Sequence, residues 1–305
     1  MLPSVSIVIP TYGRPGQLAQ CLRSVARLDY PRDRFEVIVV DDGSPTPLDP
    51  VVAGFDRQVC LTLIRQENAG PSAARNAGSA RACGDYLAFT DDDCQLDPGW
   101  LRALADVWAE SPDCMAGGLT LNAADGISSA TSQLIVDVVY RHYNPDPAHA
   151  RFLASNNMAL PARTLREIGG FDPYFRTSED RDLCDRWIHQ GYRIIYTPAA
   201  VVHHARPMNA VAFCRQHFHY GRGAERFSRR RAERGSGHFL AEVRFHLNVR
   251  NWLWIPLTSV PRSRMPTVAM LLALWQVSNF SGFIWEALSR RTLGSRNGAP
   301  SYYSA

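Results

Sequence analysis

FEVIVVDDGS, residues 35–44, decides the fold. Phe35 to Val40, apolar apart from Glu36, reads as a strand that ends in Asp41-Asp42-Gly43-Ser44. An unbroken run such as VIVV suits a strand covered on both faces, as in the sheets of α/β proteins. Toward the N-terminus, Val5 to Ile9 is a second such run, closed by Pro10. Between the two, Gly13 to Leu28 has helical spacing, with Leu18, Cys21, Leu22 and Val25 on one face. Toward the C-terminus the alternation continues. A helix is expected over Leu48 to Phe55, a strand over Cys60 to Ile64, an Ala-rich helix over Ser72 to Ala82, and a strand over Asp85 to Thr90. Strands separated by helices imply right-handed crossovers and a mostly parallel sheet with helices on both faces. In such sheets ligands bind beyond the carboxyl ends of the strands. Thr11-Tyr12, Asp41-Asp42 and Asp91 to Asp93 all fall there.

Further along, Trp100 to Trp108 reads as a helix and Met115 to Leu121 as a strand. Asn122 to Arg151 is polar and irregular, and reads as a mobile loop. Ser155 to Leu160 leads into another helical segment, and Thr197 to Val202 is a late strand ended by His203-His204. With 305 residues, the chain is long enough for one large α/β domain plus a helical extension. MLPSVSIVIPTYGRP lacks a basic stretch followed by an apolar core, so it reads as a strand and not as a signal peptide. The seven cysteines are scattered without a CxxC pair. That argues against a disulfide framework or zinc site, and for a reducing compartment such as the cytoplasm, with each thiol buried and structural.

Charge is divided along the chain. Residues 1–205 hold 18 Arg against 25 Asp and Glu, a net of −7; residues 206–305 hold 15 Arg against 4 Glu, a net of +11. Basic blocks seek polyanions such as lipid headgroups, nucleic acid or acidic glycans. The basic segment adjoins Trp252-Leu253-Trp254-Ile255 and the apolar stretch Val268 to Leu288, which carries Trp275, Phe280, Phe283, Ile284 and Trp285. Two readings stay open for Val268 to Trp285. One is an interfacial or re-entrant helix on an anionic membrane surface, at the inner face of the cell membrane. The other is a helical subdomain packed on the catalytic core. Nucleic-acid binding is disfavoured, since the tail carries no recognisable motif.

Three carboxylate groups carry the chemistry. Asp91, Asp92 and Asp93 follow an apolar strand, and adjacent carboxylates repel one another unless a cation sits among them. Oxygen ligands suit Mg²⁺ or Mn²⁺. Successive side chains diverge, so Asp91 and Asp93 can share a site while Asp92 points elsewhere; Asp91 and Asp92 are also candidates for contact with the bound substrate. In Asp41-Asp42-Gly43-Ser44, one Asp accepts hydrogen bonds from a nucleobase or ribose, or else closes a turn. Ser178-Glu179-Asp180-Arg181-Asp182 opens an amphipathic helix with more acids than capping needs, which fits a general base for an acceptor hydroxyl. Adjacent strand residues point to opposite faces, so only one of His203 and His204 can reach a given site.

Read in order, VSIVIPTYGRP at 5–15, FEVIVVDDGS at 35–44, NAGPSAARNAG at 68–78, YLAFTDDD at 86–93, GGFDPYF at 169–175, SEDRDLCDRW at 178–187 and VVHH at 201–204 resemble the family 2 glycosyltransferases, over roughly residues 4–206. The resemblance implies a GT-A fold over residues 1–205, followed by the basic, Trp-rich helical region 206–305. It implies an inverting, metal-dependent transfer of a sugar from a nucleotide diphosphate donor, by analogy UDP, to a glycan or lipid-linked acceptor. Thr11, Tyr12 and Asp42 would line the nucleotide pocket, with Arg75 near the pyrophosphate. Asp91 and Asp93 match the DXD motif, and Asp93 is the stronger candidate for metal contact. Asp180 matches the base of the xED motif, with Glu179 or Asp182 positioning the acceptor. One histidine, chosen as His204 from its spacing after Pro198, would complete the metal site. The alternative is a non-catalytic nucleotide-sugar-binding or membrane-surface protein. A nucleotidylyltransferase would need a lysine, and the chain has none.

Overall fold

The computed structural model describes residues 2–237 and 239–293. His238 and residues 294–305, part of the basic C-terminal region, lie outside the described residues. Strands β1 (Val5–Thr11), β2 (Phe35–Asp41), β3 (Leu61–Arg65) and β4 (Tyr86–Phe89) alternate with helices α1 (Pro15–Val25), α2 (Asp49–Ala53) and α3 (Pro71–Arg81). The four strands pair in parallel, side by side as β3-β2-β1-β4. Every residue of β1 is buried, as a strand covered on both faces must be. Pro10 lies inside β1 and does not end it. It sits past Val8, where β4 stops pairing with β1, so its missing N–H costs no ladder bond on that side.

The second half adds β5 (Cys94–Leu96), α4 (Trp100–Glu110), β6 (Met115–Asn122), α5 (Ile127–Tyr143), β7 (Met158–Pro161), α6 (Ala162–Ile168), α7 (Glu179–His189) and β8 (Ile194–His204). β7 runs antiparallel to both β4 and β6, and β5 antiparallel to β8, while β6 and β8 are parallel. The result is one mixed sheet, β3-β2-β1-β4-β7-β6-β8-β5. One buried cluster joins Val5, Ile7 and Ile9 to α1 and α4. A second joins Val8, Ile38 and Val40 to α3, α6 and α7 on the other face. Gly78 lets α3 lie directly on the sheet, since a Cβ there would overlap Val8 and come within 3.1 Å of Val40 Cγ2.

The expected loop over Asn122 to Arg151 is instead mostly helix α5, 17 residues long. Its Thr, Ile and Val residues are poor helix formers, which disguised it. Tertiary packing supplies what propensity does not. Ile135 and Val138 join a third cluster, while Val136 and Tyr140 pack against the second. That third cluster belongs to α8 (Ala210–Arg234), α9 (Phe239–Leu247), α10 (Ile255–Leu257) and α11 (Met265–Leu293): Phe213, Phe245, Val268, Leu271, Leu272 and Trp275 meet α5 there. The C-terminal helices therefore share a core with the sheet domain. All seven cysteines are free; Cys214 is half-buried, and Cys60 and Cys83 are exposed, contrary to the expectation that each is buried. The two exposed ones stand at element boundaries, Cys60 just before β3 and Cys83 between α3 and β4.

Candidate active site

A cleft of about 730 Å³ opens at the carboxyl ends of β1, β2 and β4. Tyr12, Asp42 and Asp91, each just past one of those strand ends, line one wall. Glu179 and Asp180 at the start of α7 line another, and His204 at the end of β8 a third. Side chains of α5 and α8, among them Gln133, Tyr140, His217 and Tyr220, close the cleft from above.

At the end of β2 the two aspartates of DDGS divide the work. Asp41 accepts the Ser44 N–H at 2.8 Å and closes its own turn. Asp42 accepts from Gln66 Nε2 at 2.7 Å, Ala69 N–H at 2.9 Å and Gly70 N–H at 2.8 Å, so it ties the 66–70 loop to the end of β2. A carboxylate offers about four acceptor positions, and Asp42 uses three of them on its own chain. Tyr12 is 52% exposed at the cleft rim, a flat surface for a planar ligand. The Thr11 hydroxyl is turned inward and donates to Asp92 Oδ2 at 2.6 Å.

The three aspartates after β4 diverge. Asp91 faces the cleft and accepts from Arg75 Nη2 at 2.7 Å. Asp92 is fully buried and points the other way, held by Thr11 and by Arg14 at 2.6 Å. Burial pushes Asp92 up to about 7, against the pull of Arg14. Asp92 does not line the cleft: it stands in the turn between β4 and β5 with its carboxylate directed inward to Thr11 and Arg14, so the structure does not bring it to the substrate side. Asp93 sits between Arg14 Nη1 at 2.9 Å and His204 Nε2 at 3.2 Å. Burial works to raise it, but the hydrogen bond and charge of His204, together with Arg14, hold it at about 2.

Antiparallel pairing of β5 with β8 sets Cys94 opposite His204 and Gln95 opposite His203. This register carries His204 to Asp93 and onto the cleft wall. Ligating atoms of Asp93, Cys94 and His204 all lie within 4.8 Å of one another. Burial and the neighbouring Asp91 and Asp93 charges push the Cys94 thiol well above its ordinary range, so it is a poor thiolate ligand. What remains is a carboxylate oxygen and an imidazole nitrogen, a donor pair that fits Mn²⁺ or Mg²⁺ better than a soft ion. Among the described residues Asp91 falls outside this group, its carboxylate committed to Arg75.

Arg75 is the hinge-pin of the site. Its side chain is 3% exposed, and its two terminal nitrogens bridge Asp91 at 2.7 Å and Glu179 at 2.9 Å. It thereby joins the end of β4 to the start of α7. Burial and the adjacent Asp180 push Glu179 up to about 7 despite Arg75. Burial also raises Asp180, while the Arg181 N–H at 2.8 Å and the charge of Arg75 hold it back. A carboxylate raised toward neutrality on a cleft wall is suited to proton transfer. Asp182 is different. Two residues after Asp180, and so roughly 200° around the helix, it is fully buried and accepts from Arg186 Nε and Arg234 Nη1, each at 2.8 Å. It does not line the cleft, which removes it as an acceptor contact. Sequence reasoning missed Arg14, although it stands in the quoted YGRP, and missed the cleft wall made by α5 and α8.

Two family models match: glycosyl transferase family 2 over residues 6–163, and glycosyl transferase family group 2 over residues 86–289. Glycosyltransferase AglE of Haloferax volcanii is 27% identical over 227 residues, 73% of this chain and 73% of that protein. The pre-mycofactocin glycosyltransferase of Mycobacterium tuberculosis is 30% identical over 208 residues, 66% of this chain but only 42% of that longer protein. Among solved structures, the mannosyltransferase PcManGT from Pyrobaculum calidifontis, in complex with GDP-Man and Mn²⁺, superposes with a TM-score of 0.72 at 19% identity, covering 95% of this chain and 88% of that one. S. aureus TarS residues 1–349 in complex with UDP give a TM-score of 0.53 at 18% identity, covering 95% of this chain and 91% of that one. Identity at that level shows shared fold alone, but the family models span more than half of the chain. With strands, cleft and acidic residues arranged as described, the chain belongs to glycosyl transferase family 2, and is a sugar-transferring enzyme built on the GT-A fold.

Proposed function

We propose that this enzyme is an inverting, metal-dependent hexosyltransferase that takes its sugar from a nucleoside diphosphate donor and delivers it to an acceptor hydroxyl. The observation that carries the reading is the sharing of one cleft by Asp91, His204 and Asp180, with Asp93 against His204. UDP is the favoured nucleotide by family resemblance; the related structures hold GDP-Man or UDP, so a guanosine donor is the alternative. Tyr12 offers its ring to the base, and the loop tied by Asp42 frames the ribose side. Asp93 and His204, with Asp91 facing the same cleft, would hold Mn²⁺ or Mg²⁺. Such an ion, when bound, neutralises charge on the departing diphosphate. Asp180 takes the proton of the acceptor hydroxyl as its oxygen bonds to the anomeric carbon and the bond to the diphosphate oxygen breaks. One displacement with one base inverts that carbon. Glu179, paired with Arg75, keeps the start of α7 against the donor side and orients the acceptor through its place on the cleft wall.

A screen of UDP- and GDP-sugars with Mn²⁺, following free nucleoside diphosphate, tests the donor. Asp180→Asn tests the base: turnover should fall by about 10²- to 10⁴-fold, the usual worth of a positioned general base, with donor affinity kept. Near-normal turnover in that variant would remove Asp180 from the role.

A second reading concerns location. α11 is long and apolar enough over Met265–Ser289 to cross a membrane, by length and composition. Its face carrying Met270, Val277, Phe280, Ile284, Trp285 and Leu288 is exposed, as are Leu247, Val249 and Trp254 nearby. We read the helices between residues 206 and 293 as a region that rests on an anionic membrane surface beside the catalytic domain 1–205, where a lipid-linked acceptor would be met.

A further inference from the structure

The turn that delivers Asp180 is strained. Ser178, the residue before α7, has φ 70 and ψ 15, and is the only non-glycine residue with positive φ among the described residues. Residues with a side chain adopt that conformation rarely, and it persists only where the surroundings enforce it. Ser178 makes no side-chain cap bond that would hold α7 from within.

What lies against it is helix α8. Gly223 meets the turn with no room for a side chain. A Cβ at 223 would overlap the Thr177 hydroxyl, and lie 2.6 Å from Ser178 Oγ and 2.7 Å from the Thr177 carbonyl oxygen. The two hydroxyls can rotate away; the carbonyl oxygen belongs to the backbone and cannot. One turn earlier on α8, the His219 carbonyl accepts the Thr177 hydroxyl at 3.0 Å.

α8 is itself fixed from behind and along its length. A Cβ on Gly221 would overlap the Asn279 carbonyl oxygen of α11, and one on Gly282 the Phe218 carbonyl oxygen of α8, so the two helices are notched into each other. Arg222 and Arg226 reach Glu286 at 2.9 and 2.7 Å. Arg234 reaches Asp182 at 2.8 Å and Asp185 at 2.9 Å, both on α7 itself.

We propose that α8 is the brace of the catalytic turn: Gly223 lets the helix backbone seat against Thr177–Ser178, and that seat holds Ser178 in its left-handed conformation and so sets where Asp180 faces the cleft. Gly223 is thus a positioning residue for the transfer step, and the proposal rests on Asp180 as the base. The donor side does not share the seat, because Asp91 and Asp93 stand in the short turn between β4 and β5, and His204 ends β8. Loosening the brace should therefore reach the proton-transfer step and spare donor binding.

The test uses the full chain and the sugar nucleotide that the wild type turns over fastest, read as release of nucleoside diphosphate. Gly223→Ala should lower kcat by about 10- to 100-fold, since a misplacement of about 1 Å can cost 10²-fold, with donor KM within about twofold. Adding Ser178→Gly should recover part of the lost kcat, because glycine holds a positive φ without a brace. Mere loosening of the fold would instead be worsened by a second glycine. Should Gly223→Ala fail to fold, Thr177→Val removes the bond to His219 at nearly constant volume, and should cut kcat severalfold at unchanged donor KM. The brace is refuted by a kcat within twofold of wild type in Gly223→Ala, by a double variant no faster than the single, or by an unaffected Thr177→Val. Asp180→Asn, measured alongside, separates the two claims. If it stays active, the base assignment fails; if it is inactive while Gly223→Ala is fully active, the brace alone fails.

Discussion

Arg75→Met should cost this protein about 3 kcal/mol of unfolding free energy at pH 7. Removing one partner of a buried ion pair usually costs about 3–5 kcal/mol, because the remaining charge is left without compensation. Two features place Arg75 at the lower end. Asp91 has 28% of its side chain open to the cleft, so it can recover water. Glu179, only 10% open, already sits at about 7 and can take a proton in place of the guanidinium. The sign of the pH dependence follows. Glu179 has a folded-state value above its ordinary 4.5, so its favourable contribution is complete below about 4.5 and is lost as pH rises through 7. Without Arg75 the folded value climbs further, and the loss extends above pH 7. The penalty of Arg75→Met should therefore be larger at pH 8 than at pH 5. Urea unfolding at the two pH values, on wild type, Arg75→Met, Glu179→Gln and the double variant, measures both the cost and the coupling. A cost below about 1 kcal/mol at pH 8, or a coupling with Glu179 near zero, would show that the bridge across the cleft is not what holds α7 to β4.

Arg14→Gln should tighten Mn²⁺ binding to the donor-free protein severalfold in a spectroscopic titration, because Arg14 stands on the Asp93 carboxylate that the ion would take; weaker binding would mean that Arg14 orients Asp93 instead of competing for it. The protein should co-sediment with vesicles containing anionic lipid at low salt and release as salt rises, since surface charge is screened within about 10 Å at 0.1 M. Phe280→Ser with Trp285→Ser should abolish that binding while leaving sugar-nucleotide turnover in solution intact; unchanged sedimentation would exclude the exposed face of α11 as the contact.

The sheet domain was legible because its strands announce themselves twice. Apart from Ser6 and Glu36, Val5 to Ile9 and Phe35 to Val40 are apolar without alternation, and each leads into polar residues at its carboxyl end. The carboxyl-end rule gathered Tyr12, Asp42 and Asp91, and all three line one cleft. Direction within the clusters was less visible. Asp92 and Asp182 each stand next to a cleft residue, Asp91 and Arg181, yet each is fully buried against arginines, Asp92 against Arg14 and Asp182 against Arg186 and Arg234. Arg14 and Arg234 come from distant parts of the chain, where no local spacing reveals them; Arg186 is one helical turn on from Asp182. α5 was lost for a related reason. Its β-branched residues argue against a helix locally, and only contact with the second and third clusters makes it one.

The uneven charge of the chain also takes on a different meaning once partners are known. Read as a string, the Arg-rich C-terminal region seeks an external polyanion. In space, much of the basic half of α8 is already answered from within. Arg231 and Arg234 pair with Asp185, Arg234 also with Asp182, and Arg222 and Arg226 with Glu286. The acids of α7 beyond Asp180 thus serve to fasten α8, which is why the cluster holds more carboxylates than catalysis needs. Among the described residues, Arg244, Arg250, Arg262 and Arg264 are exposed and close in sequence to the exposed Leu247, Val249 and Trp254, a group open to an external anion. The two halves of the basic region then have separate tasks. Neutralising Arg231 and Arg234 should loosen α7 and slow turnover, whereas neutralising Arg250, Arg262 and Arg264 should weaken vesicle binding and leave turnover alone. Kinetics and sedimentation on the two sets of variants distinguish this division from a single basic surface, which would make both sets behave alike.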